Sequence, residues 1–317
     1  MIIITTALYC EAQPLIQYYH LKKDTTVTRF QVFKNEEILL LLTGTGAMAA
    51  AISTSAICSL LSPTSKDIFL NLGICGLNKE EAPIGTVYLC NKIVDLITNR
   101  SYYPDILFSH PFKEGCLVTS PTILLGKTGD TDRFHPSFGE PIDAWQSSKN
   151  HITNLDTASF SSMQKEDINS GKGFLVDMEA AGLYPAAACF FKPHQMFFLK
   201  IVSDYLELNA ITADCVTAFI QPRLPEIHTW ISKIQEALRN SPSVFTKAEE
   251  EYIKEVTHSL LFSASMELKL RQLLKYYKLK TGNFTDRLND YLTDKVLPCN
   301  TKSEGKMYFE QLRQLFI

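Results

Sequence analysis

Three carboxylic acids stand in this sequence where an acid is chemically useful. Glu11 follows the apolar run 2–8, Glu179 ends the triplet Asp177-Met178-Glu179 behind an apolar segment, and Asp204 follows the apolar run 197–202 in the pair Ser203-Asp204. Each lies at the end of a β-like segment or the start of a helix-like one, where open-sheet α/β enzymes build their sites. Carboxyl groups in such places donate protons, accept them, or orient water. Each also has a plainer reading. Ser203 or Asp204 can cap the next turn, Glu179 can favour a helix N-terminus, and Glu11 can be a solvated loop residue.

Glycines mark two further places. A β-like run 38–43 leads through Gly44 and Gly46 into an alanine-rich helix expected over Ala47–Leu61, and Gly73-Ile74-Cys75-Gly76 follows the run 67–72 as a turn. The seven histidines show no paired spacing of the HExxH kind that would hold zinc. The eight cysteines form no CxxC pair, and several sit in apolar runs as small hydrophobes, Cys58 and Cys189 among them. That usage points to buried thiols in a reducing, cytoplasmic compartment. No motif calls for a metal or a cofactor.

These residues need a scaffold. At 317 residues, 45% hydrophobic and 21% charged, the chain can bury one large core and a smaller one. Its net charge of -3 gives no global signal for nucleic acid or an anionic membrane. The apolar start runs directly into Glu11 without a basic segment, so it reads as a buried strand and not as a signal peptide. Strands are expected over 2–8, 27–33, 38–43, 67–72, 86–95, 115–119 and 197–202, and helices over Ala47–Leu61, 178–191 and 224–238. This alternation signifies an α/β domain. A polar stretch with Pro242 then changes the composition, and helical periodicity follows almost to the end. Thr246 with Glu249, and Thr301 with Glu304, match capping boxes. Leu270, Leu273, Leu274 and Tyr277 fall on one helical face. The expected domains are 1–242 and a helical module over 243–317.

Five segments resemble, in order and spacing, the nucleoside phosphorylase/nucleosidase superfamily: ITTALYCEAQPLI, LLLTGTGAMAAAIST, FLNLGICGLN with IGTVYLCN, FLVDMEAAGLYPAA and FFLKIVSDYLE. They cover about residues 1–235 and are most similar to methylthioadenosine/S-adenosylhomocysteine nucleosidases and futalosine hydrolases. VDMEAAG and VSD are their most specific part. The resemblance implies a three-layer α/β/α fold with a central mixed sheet, like purine nucleoside phosphorylase, followed here by a small all-α module. It implies hydrolysis of the N-glycosidic bond of a purine nucleoside. Asp204 would then protonate the leaving base, Glu179 hold the ribose hydroxyls with Met178 packed on the sugar, and Glu11 activate water. Ser203, Gly73, Ile74 and Gly76 would complete the substrate site. A homodimer is implied as well, with the neighbouring subunit closing part of the pocket.

The chain departs from the pattern at several positions. Ile74 and Cys75 replace a small hydroxyl residue and an alanine, and Lys200 stands where an arginine is common. The base-recognition loop should follow LVTSPTIL, but residues 125–173 align poorly, and Phe134, Phe138 and Trp145 there can either stack on a base or pack. Phosphorylases of this superfamily carry arginines that grip phosphate, including one before the GxxG turn. Here Leu70-Asn71-Leu72 precedes it. Hydrolysis is therefore favoured over phosphorolysis, and a non-catalytic nucleoside-binding protein acting through its helical tail is the third reading. In that tail, 12 basic residues face 10 acidic ones. The balance suits solvated helix faces, or a module that docks a protein partner, better than a nucleic-acid surface.

Overall fold

A computed structural model describes residues 1–125, 152–154, 173–207, 211–240 and 244–316. The chain divides into two compact units, Met1–Asn240 and Ser241–Ile317.

The first unit is built on a ten-stranded mixed sheet. Its strands are β1 (Ile2–Thr6), β2 (Lys22–Lys23), β3 (Gln31–Lys34), β4 (Ile38–Leu42), β5 (Ile68–Leu77), β6 (Val87–Asp95), β7 (Ser101–Tyr102) and β8 (Lys113–Thr119), with β9 (Ile123–Leu125) and β10 (Ile152–Asn154) paired separately and β11 (Leu175–Asp177) and β12 (Met196–Asp204) completing the sheet. The order is β11-β8-β6-β12-β5-β1-β4-β3-β2, with β7 on β6. Because β11 also pairs antiparallel with β5, one half of the sheet closes on itself. At the far edge β2 shows only the exposed Lys22 and Lys23, which protects an unpaired edge from further strand pairing.

Side chains alternate across the strands and feed two cores. Ile2, Ile4, Leu70, Leu72, Phe197 and Leu199 face α1 (Tyr9–Tyr18), and the later helices of this unit cover the same side. On the opposite face Ile3, Phe69 and Phe198 pack against α2 (Ala47–Leu61) and α3 (Ala180–Ala188). The first side is completed by α4 (Ala213–Ile220) and α5 (Leu224–Asn240), through Val216, Ile220, Trp230 and Ile234. Three layers result. Small residues let α2 and α3 approach closely, and a Cβ on Gly182 would lie 1.9 Å from the Ala47 carbonyl oxygen.

Several expectations need correction. The strand expected over 27–33 covers only Gln31–Lys34, whereas β5 continues through Gly73 and Gly76 to Leu77, so GxxG is strand and not turn. Helix α1, unread in the sequence, contains Pro14. A proline there leaves the carbonyl four residues earlier without its helical donor. The Thr217 hydroxyl, from α4, donates to that Cys10 carbonyl instead (3.2 Å). The cysteines form no disulfide, but Cys189 and Cys215 are exposed, not buried.

The second unit carries α6 (Lys247–Ser259), α7 (Ala264–Thr281), α8 (Thr285–Thr293) and α9 (Lys302–Leu315) around Ile253, Leu270, Leu274, Phe284, Leu288 and Leu312. Both capping boxes form: Thr246 Oγ1 accepts from the Glu249 amide and Thr301 Oγ1 from the Glu304 amide. No helix among the described residues is long and apolar enough to cross a membrane.

Candidate active site

Glu11 sits in the first turn of α1 and folds back over the helix start. Its Oε2 accepts from the amides of Ala7 (2.8 Å) and Leu8 (3.0 Å), which the helix itself leaves unpaired. Oε1 accepts from the Ile74 amide on β5 at 2.9 Å. The side chain is buried, and a Cβ on Gly73 would stand 2.8 Å from Oε1. Gly73 is therefore the space that Glu11 occupies. Burial lifts the Glu11 carboxyl above its ordinary range, and the three amides with the nearby Lys200 charge offset only part of that.

Lys200 lies opposite Gly73 in the β5–β12 ladder. It is 2% exposed, and its Nζ is 2.9 Å from Asp177 Oδ2. Burial pulls the ammonium toward neutrality, but Asp177, Glu179 and Glu11 together outweigh it and hold Lys200 charged. Asp177 ends β11 and is fully used: Oδ1 accepts from Thr119 Oγ1 (2.7 Å) and Oδ2 from the Ala180 amide (3.0 Å). Thr119 Oγ1 in turn accepts from the Ala181 amide (2.9 Å), so the pair fastens the start of α3.

Glu179 is the N-cap residue of α3, and its carboxylate reaches across to α2. Oε1 accepts from the amide of Gly46, at 2.9 Å. Gly46 has φ +93°, a conformation glycine adopts without strain. Burial and the Asp177 charge raise the Glu179 pKa to about 7; Lys200 and the Gly46 amide offset part of the rise, and Glu11 adds to it. Glu11, Asp177 and Glu179 thus gather around one buried ammonium. Three negative charges against one positive charge in a desolvated site favour retention of a proton.

Asp204 closes β12 beyond a register shift between Val202 and Asp204. Its Oδ1 accepts from the Leu206 amide (2.8 Å), and Ser203 Oγ lies 2.7 Å from Oδ2 and 3.1 Å from the Cys75 carbonyl oxygen. Leu206, at φ +58°, holds a left-handed conformation that costs a non-glycine residue on the order of 1–3 kcal/mol. Gly76 gives this segment room: a Cβ there would lie 2.2 Å from Leu206 Cδ2 and 3.2 Å from Asp204 Oδ1. Burial raises the Asp204 pKa, partly offset by the Ser203 and Leu206 hydrogen bonds, and Glu207 adds to the rise.

Of the other residues expected at the site, Ile74 supplies its amide to Glu11 while its half-buried side chain packs on the first core. Cys75 belongs to the opposite core, where burial above all keeps its thiol protonated, within the influence of Lys200, Asp204 and Asp177. Met178 is half-buried between Asp177 and Glu179. Phe134, Phe138 and Trp145 lie outside the described residues. Lys200 stands out in the sequence, but its pairing with Asp177 does not, although a lysine inside the strand FFLKIV calls for a partner, because lysine is rarely fully buried without one. Among the described residues no group of three or more His, Cys, Asp or Glu is placed to hold a metal.

No protein-family model and no curated protein matches the sequence. Solved structures do. The 5'-methylthioadenosine nucleosidase of Arabidopsis thaliana, in its apo form, is 19% identical, with 76% of this chain and 96% of that chain covered at a TM-score of 0.50. An MTA/SAH nucleosidase is 18% identical, with 73% of this chain and 95% of that chain covered at a TM-score of 0.51. The first unit therefore has the fold of these nucleosidase structures. In this nucleosidase-like fold, β5 carries the amide and the two glycines that accommodate Glu11 and Asp204, and α2 and α3 meet at Glu179. Both solved structures are covered almost end to end, and about a quarter of this chain lies beyond the match.

Proposed function

We propose that this protein hydrolyses the N-glycosidic bond of a purine nucleoside, methylthioadenosine, S-adenosylhomocysteine and futalosine-like compounds being the candidate substrates. The observation that carries this reading is the burial of Glu11 beside Lys200 and Glu179, held by backbone amides of two elements. A glutamate so fixed, with its pKa raised by burial, is a stronger base toward water than one in solvent. Glu179 would take the ribose hydroxyls. Asp204, whose raised pKa favours its protonated form, would deliver a proton to the leaving base as its glycosidic bond breaks. The electron pair of that bond departs with the base, and water, losing a proton to Glu11, bonds to the sugar carbon.

Phosphorolysis fits less well. Lys200, the buried cation of this group, already pairs with Asp177, so an incoming phosphate would meet Glu11, Glu179 and Asp204. The nucleosidase reading also brings a second copy of the chain. The outward side of α2 carries no charged residue and exposes Met48, Ile52 and Leu60, and we propose it as the contact of a homodimer. The cysteine usage fits a reducing compartment, and we assign the protein to the cytoplasm.

The test is free-base release from a panel of adenine and hypoxanthine nucleosides, with and without phosphate. Base and free sugar in the absence of phosphate are expected. Release that requires phosphate would make the protein a phosphorylase, and a failure with every nucleoside would favour a binding role.

A further inference from the structure

About a quarter of the chain lies beyond the match to the solved structures, and in the second unit one helix shows a face suited to another molecule. Helix α7 turns Leu270 and Leu274 into the core of the unit. On its flank Arg271 pairs with Glu250 and Glu267, and Lys278 with Glu249. The opposite side stays in solvent: Leu268 is 59% exposed, Tyr276 65% and Leu279 67%. Leu268, Gln272, Lys275 and Leu279 follow one another at spacings of four, three and four residues. That is the spacing of a coiled-coil seam, which one facing helix can follow along its length. Lys269 and Lys280 flank the seam, Lys275 lies within it, and the outward positions of α7 carry no acid. Alongside is a shallow cavity of about 440 Å³ lined by Lys269, Gln272, Leu273 and Arg313.

We propose that this face of α7 docks an acidic amphipathic helix of a partner protein. The apolar ends of the seam would take two apolar side chains of that helix, and an acid between them would meet Lys275. Charge decides among the occupants. A second α7 laid parallel would set Lys275 against Lys275, and one laid antiparallel would set it against Gln272, so neither offers the lysine an acid. A lipid surface would favour a continuous apolar stripe, whereas Gln272 and Lys275 interrupt this one at its centre. Single-stranded RNA would leave Leu268 and Leu279 unused.

The full chain can be titrated against a fluorescent, helix-forming peptide of three heptads, with leucines at the seam and glutamates opposite Lys275 and the flanking lysines. Saturable binding that weakens with salt is expected. Lys275→Glu should weaken it at least about tenfold, and changing the facing peptide glutamate to lysine should restore it. Leu279→Asp should also abolish binding, with circular dichroism confirming that both variants keep their helix content. Absence of saturable binding, or binding indifferent to Lys275→Glu, would overturn the proposal. So would a preference for phosphatidylglycerol vesicles, for RNA or for self-association through the same face.

Discussion

Lys200 and Lys278 are both ion-paired lysines, yet they sit in opposite electrostatic regimes. Lys278 Nζ lies 2.5 Å from Glu249 Oε2, with both side chains partly in solvent, and the pairing lowers the Glu249 pKa in spite of the opposing effect of burial. Lys200 and Asp177 are buried in the first unit, and around them the pKa values of Glu11 and Glu179 rise. In the second unit attraction wins over desolvation, and charge reinforces helix ends. In the first, attraction still holds Lys200 charged, but desolvation wins at Glu11 and Glu179, leaving carboxyl groups that hold protons more readily than free acids do. Folding stability does not require such an arrangement, and apolar replacements of buried ion pairs are often neutral or stabilising. In the hydrolysis proposed above, its value would lie in proton chemistry.

Breaking the regime of the first unit should have the largest effects. Asp204→Asn removes the proposed proton donor and should lower turnover by about 10²–10⁴ with folding intact, as measured by base release and thermal melting. Lys200→Met leaves Asp177 buried without its counter-ion and should destabilise the fold by about 3–5 kcal/mol in denaturant titration. Adding Asp177→Asn should recover part of that loss.

A pH experiment sharpens the contrast. The folded state keeps the Glu179 proton up to about pH 7, whereas the unfolded chain releases it near 4.5. Between those values the folded state binds more protons, so its stability should fall as pH rises. Glu11 and Asp204 act in the same direction. The melting temperature should thus be lower at pH 8 than at pH 5.5, and Glu179→Gln should reduce that difference. The lowered Glu249 behaves oppositely, since its contribution is lost as pH falls below the ordinary carboxylate range. The smallest effect belongs to the second unit: Thr246→Ala removes a helix cap and should cost about 1 kcal/mol, with base release unchanged.

The layers of the first unit were legible because apolar runs such as IIITT and ILLLL carry their own signal, and Asp177-Met178-Glu179 and Ser203-Asp204 stood out at element ends. Helix α1 was hidden by Pro14, whose defect is repaired by Thr217, 203 residues further along the chain. No local pattern reveals such a repair. The same distance effect concealed the site's second layer. Glu179 meets Gly46, and Thr119 meets Asp177, only once the sheet has formed. GxxG was misread as a turn because glycine is a poor strand residue. Here it leaves room beside Glu11 and Leu206 and makes no bend.

The most direct test of the central claim is turnover in ¹⁸O-labelled water without phosphate, followed by mass spectrometry of the sugar product. The Glu11–Lys200–Glu179 arrangement predicts one labelled oxygen on the sugar carbon that held the base, and loss of that product in Glu11→Gln with nucleoside binding retained. A sugar phosphate as the product, or undiminished labelling in Glu11→Gln, would contradict it.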